Sequence, residues 1–155
     1  MTNDTPTDGT LRGFEQSLPI ALLRARDVTS RRFKPYLDDH DLTMPQWSVM
    51  RALADAGPLD AKTLSERCVI LPPSLTRIFR TLAAKGLTEA IESQDARRHT
   101  VQLTPQGRAL FETMVRQAEA TYAELEHAFG RDRMLELLNL LSDLRRTTEA
   151  LPPVR

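Results

Sequence analysis

Most of the chain carries apolar residues at intervals of three or four positions, a period that predicts a mainly helical protein. A first helix is expected from about Glu15 towards Leu37, and His40 and Asp41 break its pattern. The apolar positions of this helix are Leu18, Leu22, Ala25 and Val28.

A capping box predicts where the second helix starts. The Thr43 hydroxyl can accept the backbone amide of Gln46, and the Gln46 side chain can reach back to the Thr43 amide. Leu42 and Trp47 occupy the two positions of a hydrophobic staple, which fixes the angle at which the chain enters the helix. Gly57-Pro58 ends the helix.

Two further helices are predicted before residue 86. Asp60 can cap the first of them, and Cys68 lies on its apolar face. Pro72 and Pro73 then mark the start of a fourth helix, because proline is favoured in the first turn of a helix and disfavoured in its interior. Gly86 ends that helix. Its apolar stripe consists of Leu75, Ile78, Phe79 and Leu82.

A charged hairpin separates these helices from the C-terminal ones. Leu87–Glu92 and His99–Leu103 have the alternation of short strands, and the turn-rich run Ser93–Arg98 lies between them. Thr104-Pro105 opens a long fifth helix, and Gly130 separates it from a last one. The predicted fold is therefore mainly α with a small β-hairpin wing, in the order α-α-α-α-β-β-α-α.

The net charge of the 155 residues is zero, but the charge is unevenly distributed. Residues 62–108 hold eight basic and four acidic side chains, whereas residues 1–61 hold seven and nine, and residues 109–155 hold six and eight. The middle segment is therefore +4 between two segments of −2. Such a segment favours a surface that meets a polyanion, although a charge run is more often a solvated face.

Few residues are suited to catalysis or metal binding. His40, His99 and His127 are scattered, and no Gly-rich phosphate loop is present. Cys68 is the only cysteine, which excludes an intramolecular disulfide and an all-cysteine metal site. We therefore expect neither an enzyme nor a cofactor. No apolar run approaches the ~18 residues of a membrane span and residues 1–10 lack a basic start, so a cytoplasmic location and no membrane partner are expected.

The third and fourth helices and the hairpin have the order of a winged helix-turn-helix, whose second helix enters the DNA major groove. Ser74, Thr76 and Arg77 lie in the first turn of that helix, where they can reach base edges. Arg80 lies one turn further, where it can contact phosphate or a base at the edge of the groove. The alternative is an ordinary solvated helix face. The residues expected to contact DNA are Lys62, Pro73, Ser74, Thr76, Arg77, Arg80, Arg97 and Arg98.

The tip of the hairpin has its own predicted role. Arg97 can enter the narrow minor groove beside the occupied major groove, because the negative potential is enhanced there. Asp95 can pair with an arginine and hold the wing in shape, or it is only a turn former. Arg77 is a candidate for that pair, and it would then brace the wing instead of reading a base.

Several of these runs resemble the MarR family of bacterial winged-helix transcription regulators, over about Ser17 to Ala150. The runs are Trp47, Pro73 to Arg77, Gly86-Leu87, Asp95 to Arg98 and Leu103 to Gly107. Ser17–Leu23 and Cys68–Leu71 are similar to the branch of the family that regulates homoprotocatechuate operons. The redox-sensing branch carries a cysteine near the start of the first helix, where this chain has none, and Cys68 is interpreted as a small buried hydrophobe rather than a sensor.

The resemblance implies a homodimer that represses aromatic-catabolic genes until a small aromatic acid or its CoA thioester binds. Residues 41–104 would bind a pseudo-palindromic operator in double-stranded DNA, and residues 15–40 and 105–150 would dimerise. Residues 1–14 are expected to be a disordered tail, and residues 151–155 a second tail. The apolar stripes outside the DNA-binding segment support a dimer, because they exceed what one small domain can cover.

An aromatic acid is expected to bind between the first helix, the second helix and the start of the fifth. Trp47 and Met50 offer apolar faces for its ring, and Arg24 and Arg26 can grip its carboxylate. Each has a plainer interpretation, with Trp47 in the core and the arginines paired to acids such as Asp27. A winged-helix module that binds a protein instead of DNA also stays open, and the basic segment and the Arg-tipped wing argue against it.

Overall fold

The computed structural model describes residues 12–91 and 99–154. Its helices are α1 Leu18–Asp39, α2 Met44–Ala56, α3 Ala61–Cys68, α4 Pro72–Ala84, α5 Pro105–Phe129 and α6 Arg131–Glu149. Its strands are β1 Leu59–Asp60, β2 Thr88–Ile91 and β3 Thr100–Leu103. The predicted mainly α fold with a small β-sheet is confirmed.

Two boundaries differ from the sequence prediction. The first helix begins at Leu18 rather than Glu15, because Phe14–Gln16 forms a separate 3-10 turn. It continues through Pro35 to Asp39. The first-helix apolar residues Leu18, Leu22 and Val28 remain exposed in this chain, whereas its C-terminal half buries Phe33, Tyr36 and Leu37.

The predicted capping box is present at the start of α2. The Thr43 amide donates to Gln46 Oε1 at 2.9 Å, and the Gln46 amide donates to the Thr43 hydroxyl at 3.4 Å. Leu42 and Trp47, the two staple positions, are both buried. Because these contacts are local, α2 is placed by residues within one turn of its own start.

The sheet contains one strand that the sequence pattern does not reveal. The strand order is β1-β3-β2, and all pairs are antiparallel. Val101 of β3 lies opposite Leu59 on one side and Ala90 on the other. A strand as short as β1 has no period of its own, so its pairing depends on the distant β3.

The described residues divide into two compact units, one ending at Thr113 and the other beginning at Met114. The core of the first unit is formed by α2, α3, α4 and the sheet, and its buried residues include Trp47, Val49, Met50, Leu53, Leu64, Leu75, Leu82 and Val101. The second unit comprises the rest of α5 and all of α6. Large apolar residues of α6 are exposed, namely Leu135, Leu137, Leu138, Leu140 and Leu141. No described helix is both long and apolar enough for a bilayer span.

Candidate nucleic-acid interface

Helices α3 and α4 are joined by a tight turn that their own residues hold in place. The Asp60 carboxylate accepts the Thr63 amide at 2.8 Å and caps α3. At the other end Val69 adopts a left-handed conformation with φ 54°. The Ile70 amide donates to the Ser65 carbonyl at 3.1 Å, and the Ser65 hydroxyl donates to the Ile70 carbonyl at 2.6 Å. These two reciprocal bonds fix the direction in which the chain enters α4.

Helix α4 buries one face and exposes the other. Leu75, Ile78 and Leu82 are buried against the core. The residues predicted to meet DNA are all exposed on this helix, namely Pro73, Ser74, Thr76, Arg77 and Arg80. The arrangement leaves a polar, positively charged helix face available to a partner.

Among the residues that the structure describes, no acid neutralises the arginines of this face. Neither Arg77 nor Arg80 makes an ion pair with any residue that the structure describes. On α3, Lys62 lies 4.0 Å from Glu66, and 86% of its side chain is exposed. Such a contact between exposed groups is worth little, so Lys62 also remains available to an external anion.

The wing is described only at its base. Strands β2 and β3 are paired, and the side-chain amide of Gln102 on β3 donates to the carboxylate of Glu89 on β2 at 2.8 Å. Asp95, Arg97 and Arg98 fall in residues 92–98, which lie outside the described residues. The predicted groove contact of the tip, and the predicted pairing of Arg77 with Asp95, therefore stay predictions.

The residues predicted to hold an effector do not share one surface. Trp47 is 2% exposed and stacks on Phe111 with ring centroids 5.1 Å apart, and Met50 is fully buried. Arg24 is engaged by Glu15 at 2.6 Å and lies over the Phe14 ring. In the structure as it stands, Trp47 and Met50 are core residues and Arg24 is part of a surface ion pair.

Arg26 lines a cavity that is not predicted from the sequence. The cavity has a volume of about 470 Å³ and lies within the first compact unit, between α1, the start of α2 and the α3–α4 turn. Arg26, Met44, Ile70, Leu71, Ser74 and Arg77 are among its lining residues. One signal could have revealed it. The sequence places three apolar residues, Val69 to Leu71, in a turn where polar residues are usual.

Cys68 lies beside this cavity at the end of α3. Its thiol is half-buried, and Sγ lies 3.6 Å from the Ser48 carbonyl oxygen. Burial raises the pKa of the Cys68 thiol, and the opposing effect of the Arg67 charge is smaller. A thiol with a raised pKa is a poor nucleophile at neutral pH. Within the described ranges, no group of three or more His, Cys, Asp or Glu side chains could hold a metal ion.

Comparison with known proteins points to one class of regulator. Residues 42–100 match the MarR family. The chain is 36% identical over 136 residues to the HTH-type transcriptional regulator FarR of Neisseria gonorrhoeae, which covers 87% of this chain and 93% of that protein. It is also 36% identical over 131 residues to the homoprotocatechuate degradative operon repressor of Escherichia coli, with coverages of 84% and 88%.

A solved structure agrees with these sequence relatives. The crystal structure of NadR in complex with 4-hydroxyphenylacetate superposes with a TM-score of 0.81 at 33% identity, over 88% of this chain and 100% of that chain. The family and the sequence relatives are transcription regulators and not enzymes, in agreement with the prediction from sequence.

Proposed function

We propose, from the premise that this chain belongs to the MarR family of transcriptional regulators, that it represses an operon for the degradation of an aromatic compound. The matches to the family model and to the FarR regulator confirm the family predicted from the sequence motifs. The observation that carries the proposal is the exposed, polar and positively charged face of α4, which follows α3 and precedes a small antiparallel sheet. The E. coli relative, named as a repressor of a degradative operon, supports the direction of regulation.

We infer that α4 enters the major groove of an operator. Ser74, Thr76 and Arg77 would face base edges from its first turn, where a bidentate arginine to guanine is the commonest specific contact. Pro73 would shape the approach, and Arg80 would meet phosphate one turn later. Lys62 on α3 would add a second phosphate contact, since the first helix of the motif crosses the backbone.

The wing would complete the interface from the flanking minor groove. Arg97 would insert there and Arg98 would contact phosphate, with Asp95 supporting the turn between the strands. The pairing of β2 with β3 supports this proposal, because it holds Ile91 opposite Thr100, on either side of residues 92–98 in the sequence.

We further propose that two copies of the chain form a homodimer and read a pseudo-palindromic site. The exposed leucines of α6 support this proposal, because a monomer would leave this apolar row in water. The N-terminal half of α1 adds exposed Leu18, Leu22, Leu23 and Val28. Residues 15–40 and 105–150 would supply the dimer contacts, and residues 41–104 the DNA contacts.

The effector is proposed to be a small aromatic acid or its CoA thioester. The complex of NadR with 4-hydroxyphenylacetate supports this class of ligand, because NadR is 33% identical to this chain. Arg26 is the preferred carboxylate contact, since its guanidinium makes no ion pair with any described residue. To contact an effector, Arg24 would have to leave Glu15. Trp47 would have to leave Phe111, and Met50 would have to leave the core.

DNA retention tests the function. A duplex is selected from a random library by the full-length chain, and its retention is measured at increasing salt with and without aromatic acids. We expect affinity that falls steeply with salt, a palindromic selected site, and release by at least one acid. Sedimentation should show twice the 17.5 kDa chain mass at micromolar concentration. A chain that selects no sequence would instead support the protein-binding winged-helix module.

A further inference from the structure

The hydroxyl group of Thr76 is already bonded within α4. It donates to the Pro72 carbonyl oxygen at 3.1 Å, although Thr76 lies on the exposed face of the helix. A hydroxyl group has one proton, so this bond uses the only hydrogen-bond donor of the side chain. The bond also restricts the χ1 torsion, which sets the position of the methyl group. In this conformation Thr76 offers a partner its methyl group and an acceptor oxygen, but no donor.

The residues that precede Thr76 on the same face of α4 are apolar. Pro72 and Pro73 lie four and three residues before it, and residues at these spacings are neighbours on a helix surface. Both prolines are exposed, and neither has an N–H group to donate. Leu71, which precedes the helix, is 75% exposed. The start of α4 therefore carries an exposed apolar patch, which consists of Leu71, Pro72, Pro73 and the methyl group of Thr76.

Thymine offers an apolar group that matches such a patch in the major groove. Hydrogen-bond donors and acceptors line the edges of all base pairs there, and the C5-methyl group of thymine lies beside them. Contact between two methyl groups removes apolar surface from water and requires no hydrogen bond. Cytosine, adenine and guanine have no methyl group at this edge, so the contact distinguishes thymine from the other three bases.

We propose that Thr76 determines the sequence preference at one base pair of each half-site, by packing its methyl group against the C5-methyl group of a thymine. The inference rests on the proposed function and deepens it, because it assigns the base that Thr76 reads. It also assigns the methyl group, and not the hydroxyl group, as the part of the side chain that reads this base. Pro73 extends the apolar contact beside Thr76.

Uracil tests this contact directly, because deoxyuridine differs from thymidine only in lacking the C5-methyl group. Each thymine of the selected duplex is replaced by uracil, together with its symmetry-related copy, and the affinity of the full-length chain is measured at one fixed salt concentration. At one position the affinity of the wild type should fall about fourfold for each half-site, which is the effect of one buried methyl group.

Two variants of nearly the same shape identify the part of Thr76 that makes the contact. Thr76→Ser keeps the hydroxyl group, so it should bind the thymine duplex about fourfold more weakly for each half-site and no longer distinguish uracil there. Thr76→Val keeps a methyl group, so it should distinguish thymine from uracil as the wild type does. The matched control is Thr113→Ser on α5, which should also behave like the wild type. The exposed Thr113 has the same type of bond, from its hydroxyl group to the Ala109 carbonyl oxygen at 3.0 Å.

Three results would overturn the inference while the proposed function survives, because the chain would still select its duplex. If no replacement by uracil weakens binding, no thymine methyl group is read. If Thr76→Ser distinguishes uracil as well as the wild type does, another residue reads the methyl group. If Thr76→Val loses affinity and Thr76→Ser keeps it, the hydroxyl group leaves Pro72 and reads a base. A chain that selects no duplex would overturn the proposed function and this inference together.

Discussion

The carbonyl oxygen of Leu87 lies against Gly107, so close that a Cβ atom at position 107 would sit 2.0 Å from it. The same carbonyl accepts the Thr104 amide at 3.1 Å. The Thr104 hydroxyl accepts the Gly107 amide at 3.0 Å and donates to the Gly86 carbonyl at 2.6 Å. These contacts explain the sequence run Leu103 to Gly107. Thr104 connects the first turn of α5 to the chain that enters β2, and only glycine at position 107 permits the close approach of the Leu87 carbonyl.

Gly107→Ala should therefore destabilise the fold. The added methyl group meets backbone and not a flexible side chain, so α5 or the Leu87 segment must shift. Overpacking of this kind costs about 1–3 kcal/mol. The measurement is urea unfolding at one fixed protein concentration. Gly13→Ala is the control, because a Cβ there would meet nothing within 4 Å, and a loss of equal size in both variants would contradict the explanation.

Features that depend on neighbouring residues could be predicted from the sequence. The capping box of Thr43 and Gln46, the proline start of α4 and the separation of α5 from α6 at Gly130 all follow from chemistry within one helical turn. The alternation around Val101 and Leu103 predicts β3 for the same reason. Such signals place elements along the chain, and they led to the correct family.

Features that depend on residues far apart in sequence could not be predicted. Strand β1 exists only because Leu59 and Asp60 pair with β3. The cavity joins Arg26 to Arg77 across some fifty residues, and no periodicity connects them. The stacking of Trp47 on Phe111 likewise joins residues that are far apart in the sequence. The effector residues were predicted by chemical type and stay a prediction, because the sequence does not show which faces α1, α2 and α5 share.

Asp41 should make stability depend on pH in acid. Its carboxylate lies 2.6 Å from Lys85 Nζ, and the hydrogen bond from Lys85 lowers the pKa of Asp41 below its usual value. A group whose pKa is lower in the folded state stabilises the fold above the unfolded pKa. That contribution is lost as pH falls through the folded value. Stabilisation by this pair should therefore be fully present at neutral pH and decline as the pH falls below about 4, the ordinary aspartate value.

Asp41→Asn tests this relationship without disturbing the backbone. Asp41 has φ 51°, which asparagine also tolerates. Urea midpoints are compared at pH 7 and pH 3, and the deficit of the variant should be present at pH 7 and shrink at pH 3. High salt should reduce it too, because the carboxylate is exposed. Glu119→Gln, on an exposed position of α5, is the control and should show no such pH-dependent deficit.

Replacement of Val69 by glycine should stabilise the fold. It holds φ 54° with a side chain that is 91% exposed. A left-handed conformation costs a residue other than glycine about 1–2 kcal/mol, and an exposed side chain offsets little of this cost. Val69→Gly should therefore gain up to about 1 kcal/mol, after the larger unfolded-state entropy of glycine is subtracted.

The measurement is thermal unfolding, in which Val69→Gly should melt at a higher temperature than the wild type. Val69→Ala keeps the Cβ and most of the strain, so its stability should change less. A glycine variant that is less stable than the wild type would show that the turn is not strained.

Substitution of Arg80 on α4 should affect DNA binding differently from substitution of Ser74 or Arg77. Arg80 is placed one turn beyond the base-reading residues, so it should contact phosphate and carry no sequence information. Arg80→Gln should weaken binding to selected and unrelated duplexes alike, and it should reduce the salt slope of log affinity by about one.

Ser74 and Arg77 should instead affect sequence preference. Ser74→Ala and Arg77→Gln should weaken the selected duplex by about 1–3 kcal/mol per lost base contact, with a much smaller loss on unrelated DNA. Affinities for both duplexes are measured over a salt series. Arg145→Gln on α6 is the control, because Arg145 pairs with Glu149 on the same helix in the second compact unit, and the salt slope of this variant should stay unchanged. If Arg77→Gln lowers both affinities equally, Arg77 does not read a base, and bracing of the wing through Asp95 becomes the better account of its role.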